Sequence, residues 1–311
     1  LPVVIPEGNY VFTSTLLPND PRTVVLRGVG PASRLINRIA RISLGTVTAT
    51  NGSDAVTGAG FVPATHRYGY LEINGFYIWA SGTVTATTIT LVETWPHATF
   101  TGTAFWHPPA LRFNDAAAGT PAQTRHNGSI LEDFWIDHGG VGFFTETTRS
   151  NAIEFAAVTN IKTRNLILTP WGNGVAHIGT SIRTVQYDTW IWPPGFVADI
   201  DGNAQLGQVA GVVFASNNAK DANEYYNLEI GSGRHGILGL HGGLTTGIRF
   251  VRPIIQGVGT VNGASTTTSA TTPDGTATAV GGASITDAAK TWTTDQYRNC
   301  LVVITSSTGV G

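Results

Sequence analysis

The sequence predicts an all-β protein built as a right-handed parallel β-helix with small antiparallel β insertions. The first observation is a four-residue phrase, a polar or charged residue followed two to three positions later by a branched aliphatic, as in Asp133-Phe134-Trp135-Ile136. Copies occupy residues 133–136, 165–168, 188–191, 227–230 and 252–255. The closing aliphatics are 32, 23, 39 and 25 residues apart, which favours a solenoid with loops of variable length around stacked strands.

The second observation is a glycine followed by an apolar residue. The apolar residue lies five or seven positions after each of the first four closing aliphatics. Glycine accepts backbone angles that other residues resist, so this pattern predicts a tight bend and a second short strand in each coil. The alternative is that such pairs occur by chance in a β-rich chain with 38 glycines. The pairs are Gly140-Val141, Gly174-Val175, Gly195-Phe196 and Gly236-Ile237.

The third observation is composition. Charged residues make up 12% of the 311, about half the usual share of roughly 25%, and Thr, Ser, Asn and Gly fill the polar positions. The net charge of −2 and the lack of a Lys/Arg cluster argue against a nucleic-acid partner. With a single cysteine, Cys300, the chain has no internal disulfide, and no apolar run is long enough for membrane insertion.

Residues 1–44 read as the opening strands of the β-helix, with short β-type runs at Val3-Val4-Ile5, Tyr10-Val11-Phe12 and Val24-Val25-Leu26. The stretch from Val4 to Tyr10, VIPEGNY, followed by Val25 to Gly30, VLRGVG, resembles the opening of the pectate-lyase-like β-helix superfamily. That superfamily includes polysaccharide lyases, polygalacturonase-type hydrolases and phage tailspikes. The resemblance therefore implies a β-helix that acts on, or binds, polysaccharide.

Three further segments follow. Residues 45–105 alternate with period two, which predicts an inserted antiparallel β module, and residues 106–259 hold the β-helix coils. Residues 260–311 are read as a linker and the start of a second Thr-rich β module, in a style that resembles phage tail proteins. Long helices are not visible, and the best helix candidate runs over 219–226. Because the chain opens and stops inside apolar β-type runs, we expect it to be a fragment of a longer protein.

Candidate catalytic residues come from aligning the strands that follow the glycines, at 175–179, 197–201 and 237–241. If the apolar residues that alternate with them face inward, then His177, Asp199, Asp201 and His241 face outward on one wall. Asp199 and Asp201 would be roughly 6.5 Å apart, near the spacing of two carboxylates that flank a glycosidic bond. The alternative is a common Asp-x-Asp-Gly turn whose side chains bind local backbone.

Candidate substrate-binding residues are aromatic or basic. Trp171, Trp190 and Trp192 lie near strand ends beside prolines, where exposed rings suit the C–H faces of sugars; a subunit interface is the alternative. Arg234 and His235 loosely resemble the Gly-His-Gly element of polygalacturonase-type hydrolases. His138, before Gly139-Gly140, is expected to cap backbone. No spacing of His, Cys or acidic residues indicates a metal, and no cofactor is indicated.

The favoured interpretation is a phage tail spike or fibre-like protein of the virion tail that binds bacterial surface polysaccharide, with or without depolymerising it. The resemblance implies a homotrimer that contacts other phage tail proteins. One alternative is a secreted microbial polysaccharide lyase or glycoside hydrolase. The other is a non-enzymatic structural β-helix of a fibre or baseplate.

Overall fold

A computed structural model describes residues 2–16, 23–113, 126–138, 150–170, 172–192, 210–215, 220–233, 235–240, 245–258, 279–281 and 284–286. The chain divides into two compact units, Leu1–Thr260 and Val261–Gly311. Within the described ranges the secondary structure is almost entirely strand, which confirms the all-β prediction. No helix in those ranges is long and apolar enough to cross a membrane.

The elements in chain order are β1 (Val3–Val4), β2 (Gly8–Phe12), β3 (Val25–Arg27), β4 (Ser33–Asn37), β5 (Ile42–Ala49), β6 (Ala55–Thr57), α1 (Pro63–His66), β7 (Tyr70–Ile73), β8 (Phe76–Val84), β9 (Thr88–Leu91), β10 (Phe100–His107), β11 (Leu111–Phe113), β12 (His126–Asn127), β13 (Ile130–Asp137), β14 (Ile153–Thr159), β15 (Lys162–Thr169), β16 (Val175–Ile182), β17 (Val185–Tyr187), β18 (Trp190–Ile191), β19 (Ala210–Phe214), β20 (Lys220–Asp221), β21 (Glu224–Tyr226), β22 (Glu229–Gly233), β23 (His235–Gly239), β24 (Thr245–Thr246), β25 (Arg249–Val251), β26 (Ile254–Val258), β27 (Ala279–Gly281) and β28 (Ser284–Thr286). The helix predicted over 219–226 is wrong, because that segment forms β20 and β21.

Two parallel sheets organise the first unit. The first sheet contains β1–β4, β13, β15, β17, β18, β21, β22, β25 and β26, and the second contains β11, β12, β14, β16, β19, β20, β23 and β24. The stacking of the five closing aliphatics is confirmed, since they pair in one row of the first sheet: Ile136, Leu168, Ile191, Ile230 and Ile255. Leu35 extends this row beyond Ile136. Successive chain segments thus lie over one another, and this arrangement is consistent with a β-helix-like fold.

The first residue of each phrase makes a sharp backbone bend in the first sheet. The backbone angle φ is positive, between 50° and 62°, at all five of these residues: Asp133, Asn165, Asp188, Asn227 and Arg252. Asn and Asp enter this left-handed region more readily than most residues, which explains why four of the five are Asn or Asp. The side chains also bond from one phrase to another: Asn165 Nδ2 donates to Asp133 Oδ1 at 2.9 Å, and Asn227 Nδ2 to Asp188 Oδ1 at 2.7 Å.

The glycine phrase marks the start of strands in the second sheet, where Val175, Val212 and Ile237 pair in one row. The expected copies Gly195-Phe196 and Gly140-Val141 lie outside the described residues. In this row Gly211-Val212, which the sequence did not single out, stands between Gly174-Val175 and Gly236-Ile237. The glycines are required for space. A Cβ at Gly174, Gly211 or Gly236 would lie 2.5, 2.7 or 2.6 Å from the Cγ2 of Ile191, Ile230 or Ile255, respectively.

The main core lies between the two parallel sheets. Both sheets contribute side chains that are 0–1% exposed to one apolar cluster. These include Leu131, Ile136 and Leu168 from the first sheet and Ile153 and Val212 from the second. At roughly 25 cal/mol per Å² of buried apolar surface, this cluster is a major stabilising contribution to the first unit.

An antiparallel six-stranded closed barrel, β5 to β10, interrupts the parallel sheets between β4 and β11. It has its own core, which includes Trp95 and Ile89. A third apolar cluster joins barrel residues such as Tyr70 and Trp79 to Ala176 in the second sheet. The barrel therefore covers the outer face of the second sheet.

In the second unit, β27 and β28 pair antiparallel, with Ala279 opposite Thr286. The other β-type runs expected there, around Trp292 and Val303, lie outside the described residues.

Candidate functional site

The outer face of the first sheet carries a row of side chains that alternate with the buried aliphatics. The register places Arg34, Trp135, Ile167, Trp190, Glu229 and Ile254 side by side on successive strands. We call these six residues the outer row. Adjacent strands are about 4.8 Å apart, so Trp135 and Trp190, two strands apart, are separated by about 9.6 Å along the stack.

Four aromatic side chains cluster on and beside this row. Trp190 and Trp192 are 37% and 40% exposed, and their ring centroids are 5.6 Å apart, so they share a face as expected. Tyr187, 40% exposed, stacks on Tyr226 with centroids 5.1 Å apart and an interplanar angle of 15°. These rings present apolar area and polar edges to solvent, which suits the C–H faces and hydroxyls of a sugar. We call Tyr187, Trp190, Trp192 and Tyr226 the aromatic face.

Glycine makes room for one of these rings. A Cβ at Gly231 would overlap the Trp192 ring, so the indole lies directly on the backbone of the neighbouring strand β22. The backbone N–H of Trp192 donates to Leu168 O at 2.8 Å, which fixes the strand beneath it. The Trp192 ring is thus supported on one side and exposed on the other.

Trp135 is held by a polar network. Its Nε1 donates to Thr169 Oγ1 at 2.9 Å, and Thr169 Oγ1 donates to Asp137 Oδ1 at 2.8 Å. Arg34 Nε donates to Asp137 Oδ2 at 2.6 Å, and the Arg34 guanidinium carbon lies 4.4 Å from the centre of the Trp135 ring. The network fixes the orientation of the indole and places a cation over it.

Charged residues flank the aromatic face. The strand register places five residues side by side on five successive strands: Arg27, Glu132, Arg164, Tyr187 and Tyr226. Glu132 pairs with Arg27, and its Oε2 accepts from Arg164 Nη2 at 2.9 Å. A carboxylate held between two arginines suits positioning of a ligand better than proton donation, so the described face has the character of a binding surface.

The expected outward orientation of His177 is wrong. The residue is fully buried, its ring stacks on Phe214 at 4.8 Å, and Nδ1 lies 2.6 Å from Ser181 Oγ while Nε2 bonds Tyr225 Oη. The reason is that the barrel covers the other face of β16, where Ala176 is equally buried. Burial on both faces removes the alternation from which orientation was inferred.

In the second sheet, Ala210–Phe214 stacks between β16 and β23. Residues 197–201, which the sequence aligned with these strands, lie outside the described residues. Asp199 and Asp201 themselves lie outside the described residues, as do His241, Trp171 and Arg234. His235 begins β23 and pairs with Ala210. The catalytic assignments therefore stay predictions without a described geometry.

Sequence reasoning missed Trp135, Tyr187 and Tyr226. A signal for Trp135 was present, because it occupies the same third position of its phrase as Trp190. The tyrosines precede a bend residue by one position, at Asp188 and Asn227. His138 agrees with its expected role, since its Nδ1 lies 3.1 Å from Thr169 O.

The described ranges contain no group of three or more His, Cys, Asp or Glu side chains that could hold a metal ion.

A scan against protein-family models finds no match, and a search of curated proteins finds none. Among solved structures, the chain is similar to the tailspike protein gp49 from Pseudomonas phage LKA1, with 12% identity and a TM-score of 0.24. The match covers 80% of this chain and 50% of the other, so the chain spans about half the length of that tailspike. A TM-score this low is too weak a likeness to support a fold or a function.

Proposed function

We propose that the two parallel sheets are faces of one right-handed parallel β-helix. Successive segments alternate between the sheets and pair in register with the segments before them, as β13, β14, β15 and β16 do. Crossovers between parallel strands of one sheet are right-handed in about 98% of cases, which supports the handedness. Recurrent positive-φ residues at one corner support a coil that turns at the same place each time.

We infer that this β-helix binds bacterial surface polysaccharide on its aromatic face, as part of a phage tail spike or fibre-like protein. The observation that carries the proposal is the exposed Trp190–Trp192 pair beside the stacked tyrosines. Exposed aromatic clusters of this kind usually mark a binding surface, and the flanking arginines supply donors for sugar hydroxyls. The opening motif and the Thr-rich modules support the phage-tail setting.

The proposal is tested by binding of purified lipopolysaccharide and capsule fragments to the chain and its variants. Trp190→Ala and Trp192→Ala should each weaken binding about tenfold, because a lost ring contact is worth roughly 1–2 kcal/mol. Tyr10→Ala is the matched control, since Tyr10 is an aromatic residue with 38% exposure outside the aromatic face. Equal affinity of all three variants and the parent chain would remove the aromatic face from the function.

Cleavage of the polysaccharide is a separate proposal that rests on Asp199 and Asp201. If they are the acid and base, Asp199→Ala and Asp201→Ala should abolish release of reducing ends while leaving binding intact. Unchanged release would exclude both residues. If the chain is instead a secreted lyase or hydrolase, the same variants should lose release of reducing ends, and the protein should be a monomer. If it is a structural β-helix, no polysaccharide should yield reducing ends.

Assembly as a homotrimer in the virion tail, in contact with other tail proteins, completes the proposal. Outward apolar side chains such as Ile254, 54% exposed, support a subunit contact. Mass photometry of the full-length protein should give three times the subunit mass. A monomer would favour the secreted-enzyme alternative.

A further inference from the structure

A cleft of about 510 Å³ lies where the chain leaves β4 for the barrel and returns to β11. Its walls combine hydroxyl groups, two arginines and one indole, and it shares no residue with the aromatic face. The residues that matter here are Thr13, Ser14, Thr15, Arg41, Trp106 and Arg112. The polar groups are mainly donors of hydrogen bonds, so the cleft suits a ligand rich in acceptors.

Arg41 is a fixed cation in this cleft. Its Nη1 lies 2.8 Å from both carboxylate oxygens of Glu72, and its guanidinium carbon is 3.7 Å from the centre of the Phe105 ring. Glu72 Oε2 also lies 2.9 Å from His107 Nε2. Since both bonds to Glu72 use Nη1, the other edge of the guanidinium fork retains donors in a rigid geometry.

Arg112 is a second cation, and it is almost completely buried at 3% exposure. Its Nη2 donates to Arg67 O at 2.5 Å and its Nη1 to Thr65 O at 3.4 Å. Its Nε lies 3.6 Å from Glu154 Oε2, and neither the Nε nor this Oε2 has a hydrogen-bond partner. Leaving a buried charged donor unsatisfied is costly. Burial also raises the pKa of Glu154 to about 7, so near neutral pH this carboxyl compensates Arg112 only in part.

We propose that the cleft binds an anionic sugar, whose carboxylate or phosphate group pairs with Arg41 and Arg112. The hydroxyls of Thr13, Ser14 and Thr15 then bond the sugar hydroxyls, and the exposed side chain of Ile42 at the rim contacts the ring. An anion would add a charged acceptor beside both guanidiniums, in a site partly shielded from water where charge-assisted bonds are strongest. This inference rests on the proposed function and deepens it, because it makes the polysaccharide an acidic one.

The test is calorimetric titration of the whole chain with three probes: glucuronic acid, glucose 6-phosphate and glucose. At least one acid should bind ten times or more tightly than glucose, and the preferred acid identifies the group as carboxylate or phosphate. Arg41→Gln should reduce acid affinity at least tenfold. Arg183→Gln, the same charge change at an exposed position directly after β16 and outside both the cleft and the aromatic face, should leave it unchanged.

Arg41→Lys serves as a second variant if loss of the Glu72 pair unfolds the barrel, because lysine keeps a charge beside Glu72 but loses the planar fork. It should weaken acid binding severalfold while the circular dichroism spectrum stays that of the parent. Equal affinity for glucose and both acids, or full acid affinity in a folded Arg41 variant, overturns the inference. If the acids fail to bind but a neutral polysaccharide binds in a way that depends on Trp190, the proposed function stands and only the acidic-sugar inference fails. If the acids bind but no polysaccharide does, the proposed function fails and the acidic-sugar inference stands.

Discussion

The buried carboxyl of Glu154 is expected to make the stability of the protein depend on pH. Glu154 is fully buried beneath the barrel, where Asn151 Nδ2 donates to its Oε1 at 2.6 Å. Burial raises its pKa from the ordinary 4.5 to about 7, against the opposing effects of Arg112 and Asn151. The informative substitution is Glu154→Gln, which keeps the shape and an oxygen for Asn151 but cannot ionise.

The sign and size follow from proton linkage. Between pH 4.5 and 7 the folded chain retains a proton on Glu154 that the unfolded chain has lost, so rising pH lowers the free energy of unfolding by about 3 kcal/mol in total. His138 acts in the opposite direction, because burial lowers its pKa from 6.5 to about 4. Its stabilising contribution is present above pH 6.5 and is lost as pH falls toward 4.

The two contributions nearly cancel between pH 4.5 and 6.5 in the parent chain, and Glu154→Gln removes one of them. Urea unfolding should therefore show the variant gaining about 3 kcal/mol relative to the parent as pH rises from 4.5 to 7.5. Glu7→Gln, the same change at an exposed position, is the control and should show no such gain. A stability difference between Glu154→Gln and the parent that does not vary with pH would refute the reasoning.

Three further substitutions test the packing. Gly236→Ala should lower the free energy of unfolding by about 1–3 kcal/mol in urea titrations, because its Cβ would lie 2.6 Å from the Cγ2 of Ile255. Gly239→Ala on the same strand, with nothing within 4 Å, should not lower it. Asn165→Ala should cost about 1–2 kcal/mol more than Asn165→Gly, since only glycine adopts its positive φ without strain; equal melting shifts would contradict this. Gly231→Ala should displace the Trp192 ring and shift tryptophan fluorescence, and an unchanged spectrum would argue against the close contact.

Sequence alone predicted the parts of the fold that repeat locally. The closing aliphatics were found because an inward side chain recurs in each phrase to fill the core. The polar residues that open the phrases were found with them, but their positive φ was not predicted. His177 was misplaced because a barrel from elsewhere in the chain buries both faces of β16. Gly211 was missed because the connections between stacked strands vary in length, so spacing does not determine which glycine stacks.

The aromatic face was half predicted for a related reason. Trp190 and Trp192 are visible as a local pair, but the stacking of Tyr187 on Tyr226 depends on strands 39 residues apart. The cleft could not be predicted, because Thr13, Arg41 and Arg112 converge only through the barrel crossover.

The most direct test of the proposed binding face is oxidative footprinting, read residue by residue with mass spectrometry in the presence and absence of host polysaccharide. Trp190 and Trp192 should be oxidised readily in the free chain and become protected when polysaccharide is added, while the equally exposed Tyr10 should not change. Trp190 and Trp192 oxidised equally in both samples, at a polysaccharide concentration that saturates binding, would show that the polymer binds elsewhere.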